Sequence, residues 1–181
     1  MALLHYPVLN KRGDVVASAV TNLDIHDIAR AARTYNVKRY YIVTPLEDQG
    51  RLTRRIVSYW TEGAGAAYNP QRADALSLVT VQTDLDAVRE DIRRSGGKDP
   101  LLVVTSARCR EDAVGFAFVR QLLTENSLLL VFGTAWGLDE SVLAGADFIL
   151  DAVQEKSDYN HLSVRSAVSI ILDRLIRSDI L

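Results

Sequence analysis

Three short segments of this chain combine residue types that can hold a small polar ligand or handle a proton. The first is Leu130-Val131-Phe132-Gly133-Thr134-Ala135-Trp136-Gly137-Leu138. An apolar run ends in one glycine and meets a second four residues later. Glycine permits a tight turn or a close ligand approach, so the main chain here can offer its N–H and C=O groups. Asp139 follows as the cap of a short helix, and this acidic helix start favours a neutral or cationic ligand over a phosphate. The second segment, Asp158-Tyr159-Asn160-His161-Leu162-Ser163-Val164-Arg165-Ser166, is a polar loop entering an amphipathic helix. The third is Asn22-Leu23-Asp24-Ile25-His26-Asp27-Ile28-Ala29-Arg30, where Asp27 and Arg30 are one helical turn apart and can pair. Taken singly, the plain readings are a glycine turn, a capped helix and a surface ion pair.

Other chemistry is missing. The sequence has no G-x-G-x-x-G after its first expected strand, no P-loop and no G-x-S-x-G elbow. This argues against an ordinary dinucleotide site, P-loop hydrolysis and a serine-hydrolase nucleophile. His5, His26 and His161 have no metal-ligand spacing. Cys109, the single cysteine, reads as an inert residue at a helix start.

The elements that must position these residues alternate between apolar and amphipathic blocks. Strands are expected at 15–20, 40–43, 78–81, 101–104, 128–132 and 147–150. Helices are expected at 24–35, 49–60, 84–94, 111–123, 139–144 and 162–176, the first capped by Thr21, Asn22 or Asp24. The 128–132 run has no polar alternation and belongs in the middle of a parallel sheet covered on both faces. Residues 62–74 are the least regular stretch. The pattern is an α/β unit over residues 1–181, with a mostly parallel sheet flanked by helices. In such sheets ligands sit at the carboxyl ends of strands. That rule selects Thr21-Asn22, Thr44-Pro45, Thr105-Ser106, Gly133-Thr134 and the 151–161 loop.

With 181 residues, 48% hydrophobic and 24% charged, the chain can build one sizeable core. No apolar run is long enough for a membrane span, and the start lacks the pattern of a signal peptide. A cytoplasmic location is expected. The net charge is −2, unevenly spread: residues 1–60 carry nine Lys and Arg against five Asp and Glu. A basic first third on an acidic body permits a phosphate-binding face.

Together the three segments resemble the motifs of the knotted, S-adenosylmethionine (SAM)-dependent RNA methyltransferases, the SPOUT superfamily, and within it a small bacterial group of probable RNA methyltransferases. The family's first motif has Asn, then Gly two residues on, then Arg four further; here the register reads Asp24, His26 and Arg30. Arg30 keeps the pattern and the other two depart from it. Phe132-Gly133-Thr134-Ala135-Trp136-Gly137-Leu138 matches the second motif, and Asn160-His161-Leu162-Ser163-Val164 resembles the third. The ribose-methylating branch usually has Asn where Ser163 stands and Ser where Arg165 stands.

The resemblance implies a C-terminal deep trefoil knot, a homodimer, and S-adenosyl-L-methionine bound in the knot. Its pocket would use Thr105, Ser106, Phe132, Gly133, Thr134, Gly137, Leu150, Asn160, His161, Leu162 and Val164. The implied reaction is methyl transfer to RNA, either tRNA or rRNA, at a ribose 2′-oxygen or guanine N1. Arg30 would position the acceptor in the ribose branch, while Asp158 stands near the place of the base in the guanine-N1 branch. RNA contact falls on Arg33, Lys38, Arg39, Arg51, Arg54 and Arg55, with Tyr59 or Trp60 available to stack on a base. The rival readings are a non-catalytic nucleotide- or RNA-binding α/β domain and a small hydrolase.

Overall fold

The chain opens with β1 (Ala2–Leu4), turns through an antiparallel hairpin of β2 (Val8–Leu9) and β3 (Val15–Val16), and enters α1 (Asn22–Thr34). Next come β4 (Tyr40–Val43), α2 (Glu47–Thr61), α3 (Ala64–Tyr68), α4 (Pro70–Leu76), β5 (Val79–Gln82) and α5 (Leu85–Arg94). The later half holds β6 (Leu101–Thr105), β7 (Ala113–Val114), α6 (Phe116–Glu125), β8 (Leu128–Gly133), α7 (Glu140–Ala144), β9 (Phe148–Leu150) and α8 (Val164–Ile176). This computed structural model describes residues 1–96, 98–153 and 159–177.

Seven strands form one sheet in the order β5-β4-β1-β8-β6-β9-β7, and every pairing in it is parallel. The expected central strand is central: β8 lies between β1 and β6. Alternate residues feed two apolar layers. Leu3, Tyr40, Ile42, Val103, Leu130, Phe132 and Leu150 face the layer under α1, α4, α6 and α8. Leu4, Tyr41, Val43, Val104, Leu129, Val131 and Ile149 face the layer that takes in residues of α5 and α7. Two covered faces explain why these strands read as continuous apolar runs.

Four expectations from the sequence need correction. Only Val15 and Val16 of the 15–20 run are extended, and they pair with Val8 and Leu9 outside the main sheet. The main sheet instead begins with β1, whose three residues are too few to display a period. The 62–74 stretch forms α3 and α4; the Asn69 side chain accepts from the Arg72 amide and Pro70 takes the first helical position. The helix expected from Glu111 starts at Phe116, because Ala113 and Val114 first pair with Ile149 and Leu150.

Thr21 is the cap of α1, its side chain accepting from the Asp24 amide. Ser163 caps α8 through the Ser166 amide. Strand β9 lies beyond β6, yet α8 packs against α1, α6 and β8. Helix α8 therefore lies back over the middle of the sheet, a placement consistent with a SPOUT-like knotted fold.

Candidate functional site

A cavity of about 580 Å³ opens at the carboxyl ends of the central strands, within the range of small-molecule sites. Thr105 and Ser106 reach it from the end of β6, and Phe132, Gly133, Thr134 and Gly137 from the end of β8. Asn160, His161, Leu162 and Val164 close it from the segment entering α8. The two loops singled out in the sequence thus meet across one space. Of the five strand-end positions expected to hold ligands, only Thr44-Pro45 stays outside it.

Several hydrogen bonds fix these walls. Thr105 Oγ1 donates to the Val131 carbonyl at 3.0 Å, joining β6 to β8. Asn160 Nδ2 donates to the Ala107 carbonyl at 2.8 Å, tying the third motif to the loop after β6. The loop after β8 is held by the hairpin: Trp136 donates to the Leu9 carbonyl, and Leu9 donates to that of Gly137. Gly137 has φ +107°, the left-handed region that favours glycine, whereas Gly133 turns tightly against Leu138.

A chain of side chains runs beneath the wall. Thr134 Oγ1 donates to the Leu4 carbonyl at 3.0 Å and lies 2.5 Å from Ser18 Oγ, which is 3.0 Å from His5 Nδ1. Thr134 has one hydrogen and spends it on Leu4, so Ser18 donates to Thr134. The Ser18 oxygen must then accept from His5, which places the imidazole proton on Nδ1. His5 Nε2 is left buried without a partner. Burial pushes the His5 pKa down to about 4, outweighing the upward pull of the Asp24 charge. The ring is neutral at physiological pH.

The cavity suits an ambivalent ligand. Leu138, Val153, Leu162 and Ile171 belong to its apolar lining, and Asp24, Arg108, Arg110, Glu140 and Arg165 to its charged lining. Arg110 binds Asp112 (Nε to Oδ1 2.9 Å) and reaches Glu140 (3.4 Å). Among the described residues no cluster of His, Cys, Asp and Glu could hold a metal ion.

Residues 1–177 match the family described as SAM-dependent RNA methyltransferase. The chain belongs to that family. This SAM-dependent RNA methyltransferase family member is 46% identical over 175 residues to the tRNA (guanine-N(1)-)-methyltransferase of Oleidesulfovibrio alaskensis, covering 97% of this chain and 41% of that one. The chain thus spans less than half the length of that relative. A match of similar strength is an uncharacterized protein of Aquifex aeolicus, 41% identical over 177 residues, covering 97% of this chain and 86% of that one. The fold is shared with the SpoU methyltransferase AviRb of Streptomyces viridochromogenes, solved with AdoMet, at TM-score 0.59 and 16% identity, covering 98% of this chain and 57% of that one.

Not every expected site residue of this family member reaches the cavity. Leu150 is fully buried, its side chain committed to the apolar layer beneath α8 and not to the cavity wall. Arg30 is exposed on α1 and does not line the cavity. Nor does it pair with Asp27, whose ion-pair partner is Arg165, 3.5 Å away, because α8 delivers that guanidinium to the same face. Asp158 lies outside the described residues.

The early basic residues are partly neutralised. Arg33 pairs with Asp74 at 2.7 Å and Arg51 with Asp48, while Lys38, Arg39, Arg54 and Arg55 are exposed. Trp60 is covered by the Arg72 guanidinium, 4.6 Å from the ring centre, leaving Tyr59 as the exposed ring. Sequence reasoning missed Leu9, Ser18 and Ala19, which reach the cavity from the hairpin and its return. A leucine, a serine and an alanine beside a turn carry no signal of a ligand.

Proposed function

We propose that this chain transfers a methyl group from SAM to RNA, with tRNA the first substrate to test. One observation carries the reading: the loop after β8 and the segment entering α8 line the same cavity, with Thr105 and Ser106 beside them. Bound there, SAM supplies a methyl group activated by its sulfonium. The protein's part is to align that group with a nucleophilic oxygen or nitrogen and to exclude water. Leu162 and Val164 pack the base. The main chain between Gly133 and Gly137 supplies hydrogen bonds, and Asn160 holds the third-motif segment against the loop after β6.

The acceptor is a ribose 2′-oxygen or guanine N1. The guanine-N1 name belongs to a relative more than twice this chain's length, so it is an expectation to test. Arg30, too basic to serve as an ordinary proton acceptor, is assigned an acceptor-positioning role toward the cavity of a second copy. Asp158 is the proton acceptor in the guanine-N1 alternative. RNA approaches over Arg54, Arg55 and the Tyr59 ring, which are exposed on α2. A homodimer is supported by the exposed apolar Leu23 and Leu162, the second of which lies at the cavity. No helix among the described residues is long and apolar enough to cross a membrane.

Calorimetric titration with SAM tests the reading, followed by tritiated methyl transfer to unfractionated tRNA. Saturable binding and transfer are expected. Absence of binding heat and of transfer overturns the assignment. Arg30→Ala and Asp158→Asn then separate the two acceptor chemistries, and light scattering measures the dimer.

A further inference from the structure

The position of Arg165 departs from the family pattern, and its surroundings give it a use. It is the second residue of α8, and its side chain lines the cavity at one-third exposure. Its Nη1 lies 2.8 Å from Asp24 Oδ1. Asp24 is buried and held in turn: Thr21 Oγ1 donates to its other oxygen at 2.6 Å, and its amide donates back to Thr21. The second carboxylate, Asp27, meets Arg165 Nε at 3.5 Å and is half exposed. One contact is therefore short, buried and braced, and the other long and open to water.

A guanidinium has five N–H donors in a planar fork. Asp24 takes one from Nη1, and Asp27 approaches Nε. Among the described residues Nη2 meets no acceptor. We propose that Arg165 binds the phosphodiester flanking the acceptor nucleotide, exchanging Asp27 for a phosphate oxygen while Asp24 keeps the fork aimed. This inference rests on the RNA methyltransferase reading of the same cavity. Bidentate phosphate contact suits a planar guanidinium and is lost on a lysine ammonium, which cannot grip Asp24 and present a second edge together. In this scheme Asp24 is a positioning residue and Asp27 a competitor that the RNA displaces.

The competitor role gives the test its direction. Fluorescein-labelled unfractionated tRNA is titrated with wild type, Arg165→Ala, Arg165→Lys, Asp24→Asn and Asp27→Asn, following anisotropy in the presence of S-adenosylhomocysteine. Arg165→Ala should weaken binding about tenfold and reduce the slope of log affinity against log salt by roughly one. Arg165→Lys should recover only part of the loss. Asp24→Asn should weaken binding, whereas Asp27→Asn should tighten it about threefold. A merely structural ion pair would make both aspartate variants act alike. Equal tRNA affinity in wild type and Arg165→Ala, or no tightening in Asp27→Asn, overturns the proposal. Thermal midpoints confirm that each variant is folded. SAM titration of the wild type is the separate check on the methyltransferase reading, so failure of that reading is distinguished from failure of the Arg165 assignment.

Discussion

Gly133 and Leu138 are in contact so close that a Cβ on Gly133 would lie 2.8 Å from Leu138 Cγ and 3.0 Å from the Leu138 amide nitrogen. The glycine at the end of β8 is thus demanded by the turn's own packing. A Gly133→Ala protein should lose about 1–3 kcal/mol by urea denaturation, the usual scale of overpacking. Adding Leu138→Ala removes the side-chain part of the clash but not the main-chain part. The double variant should therefore lose less than the sum of the two single losses. Strict additivity would separate Gly133 from Leu138.

Thr134 ties three segments together through Leu4 and Ser18. Thr134→Val keeps the shape and removes both hydrogen bonds, leaving the Ser18 hydroxyl proton without its acceptor and the Leu4 carbonyl without the Thr134 donor. The expected loss is about 1–3 kcal/mol in chemical denaturation. Thr134→Ser, which keeps the hydroxyl, should recover most of it.

His5 makes stability pH-dependent. Its folded pKa, about 4, is depressed below the ordinary value of 6.5. Between those values the unfolded chain binds more protons, so stability rises with pH. The contribution is complete above 6.5 and is lost as pH falls toward 4. The thermal midpoint should drop on acidification through that window, and less steeply in His5→Asn, whose amide can donate to Ser18 as Nδ1 does. Parallel curves for the two proteins would contradict a buried neutral His5.

Asn160 joins the third-motif segment to the loop after β6 through one 2.8 Å bond to the Ala107 carbonyl. Asn160→Ala should weaken SAM binding about five- to tenfold, the equivalent of one hydrogen bond. Because the residue is at the surface, the thermal midpoint should hardly move. Calorimetry on both proteins measures the difference.

The sheet was legible where strands were long and apolar. The 128–132 run announced a central strand, and 40–43 and 101–104 matched β4 and β6 almost to the residue. β1 escaped because three residues hold no period, and β7 because two residues cannot outweigh the helix pattern behind them. At the site, glycines and polar residues in the 133–137 and 160–164 segments stood out by type and position. What stayed hidden was tertiary. Arg30 is not among the residues that line the cavity, while Arg165, 141 residues from its partner Asp24, is. Leu150 sits at the end of the strand expected at 147–150, and its side chain is taken up by the apolar layer that includes α8.

The pairing of β1 bears on how the molecule assembles. Leu3 stands opposite Ile42 on one side and Phe132 on the other. The middle of the sheet is therefore stitched across most of the chain's length, and α8 must still travel back over it. Distant contacts of this kind slow folding, because loop entropy is lost before the interactions that repay it exist. Until Phe132 docks beside Leu3, the ligand cavity has no floor. Completing the cavity therefore depends on the same long-range pairing of β1 with β8 that completes the core.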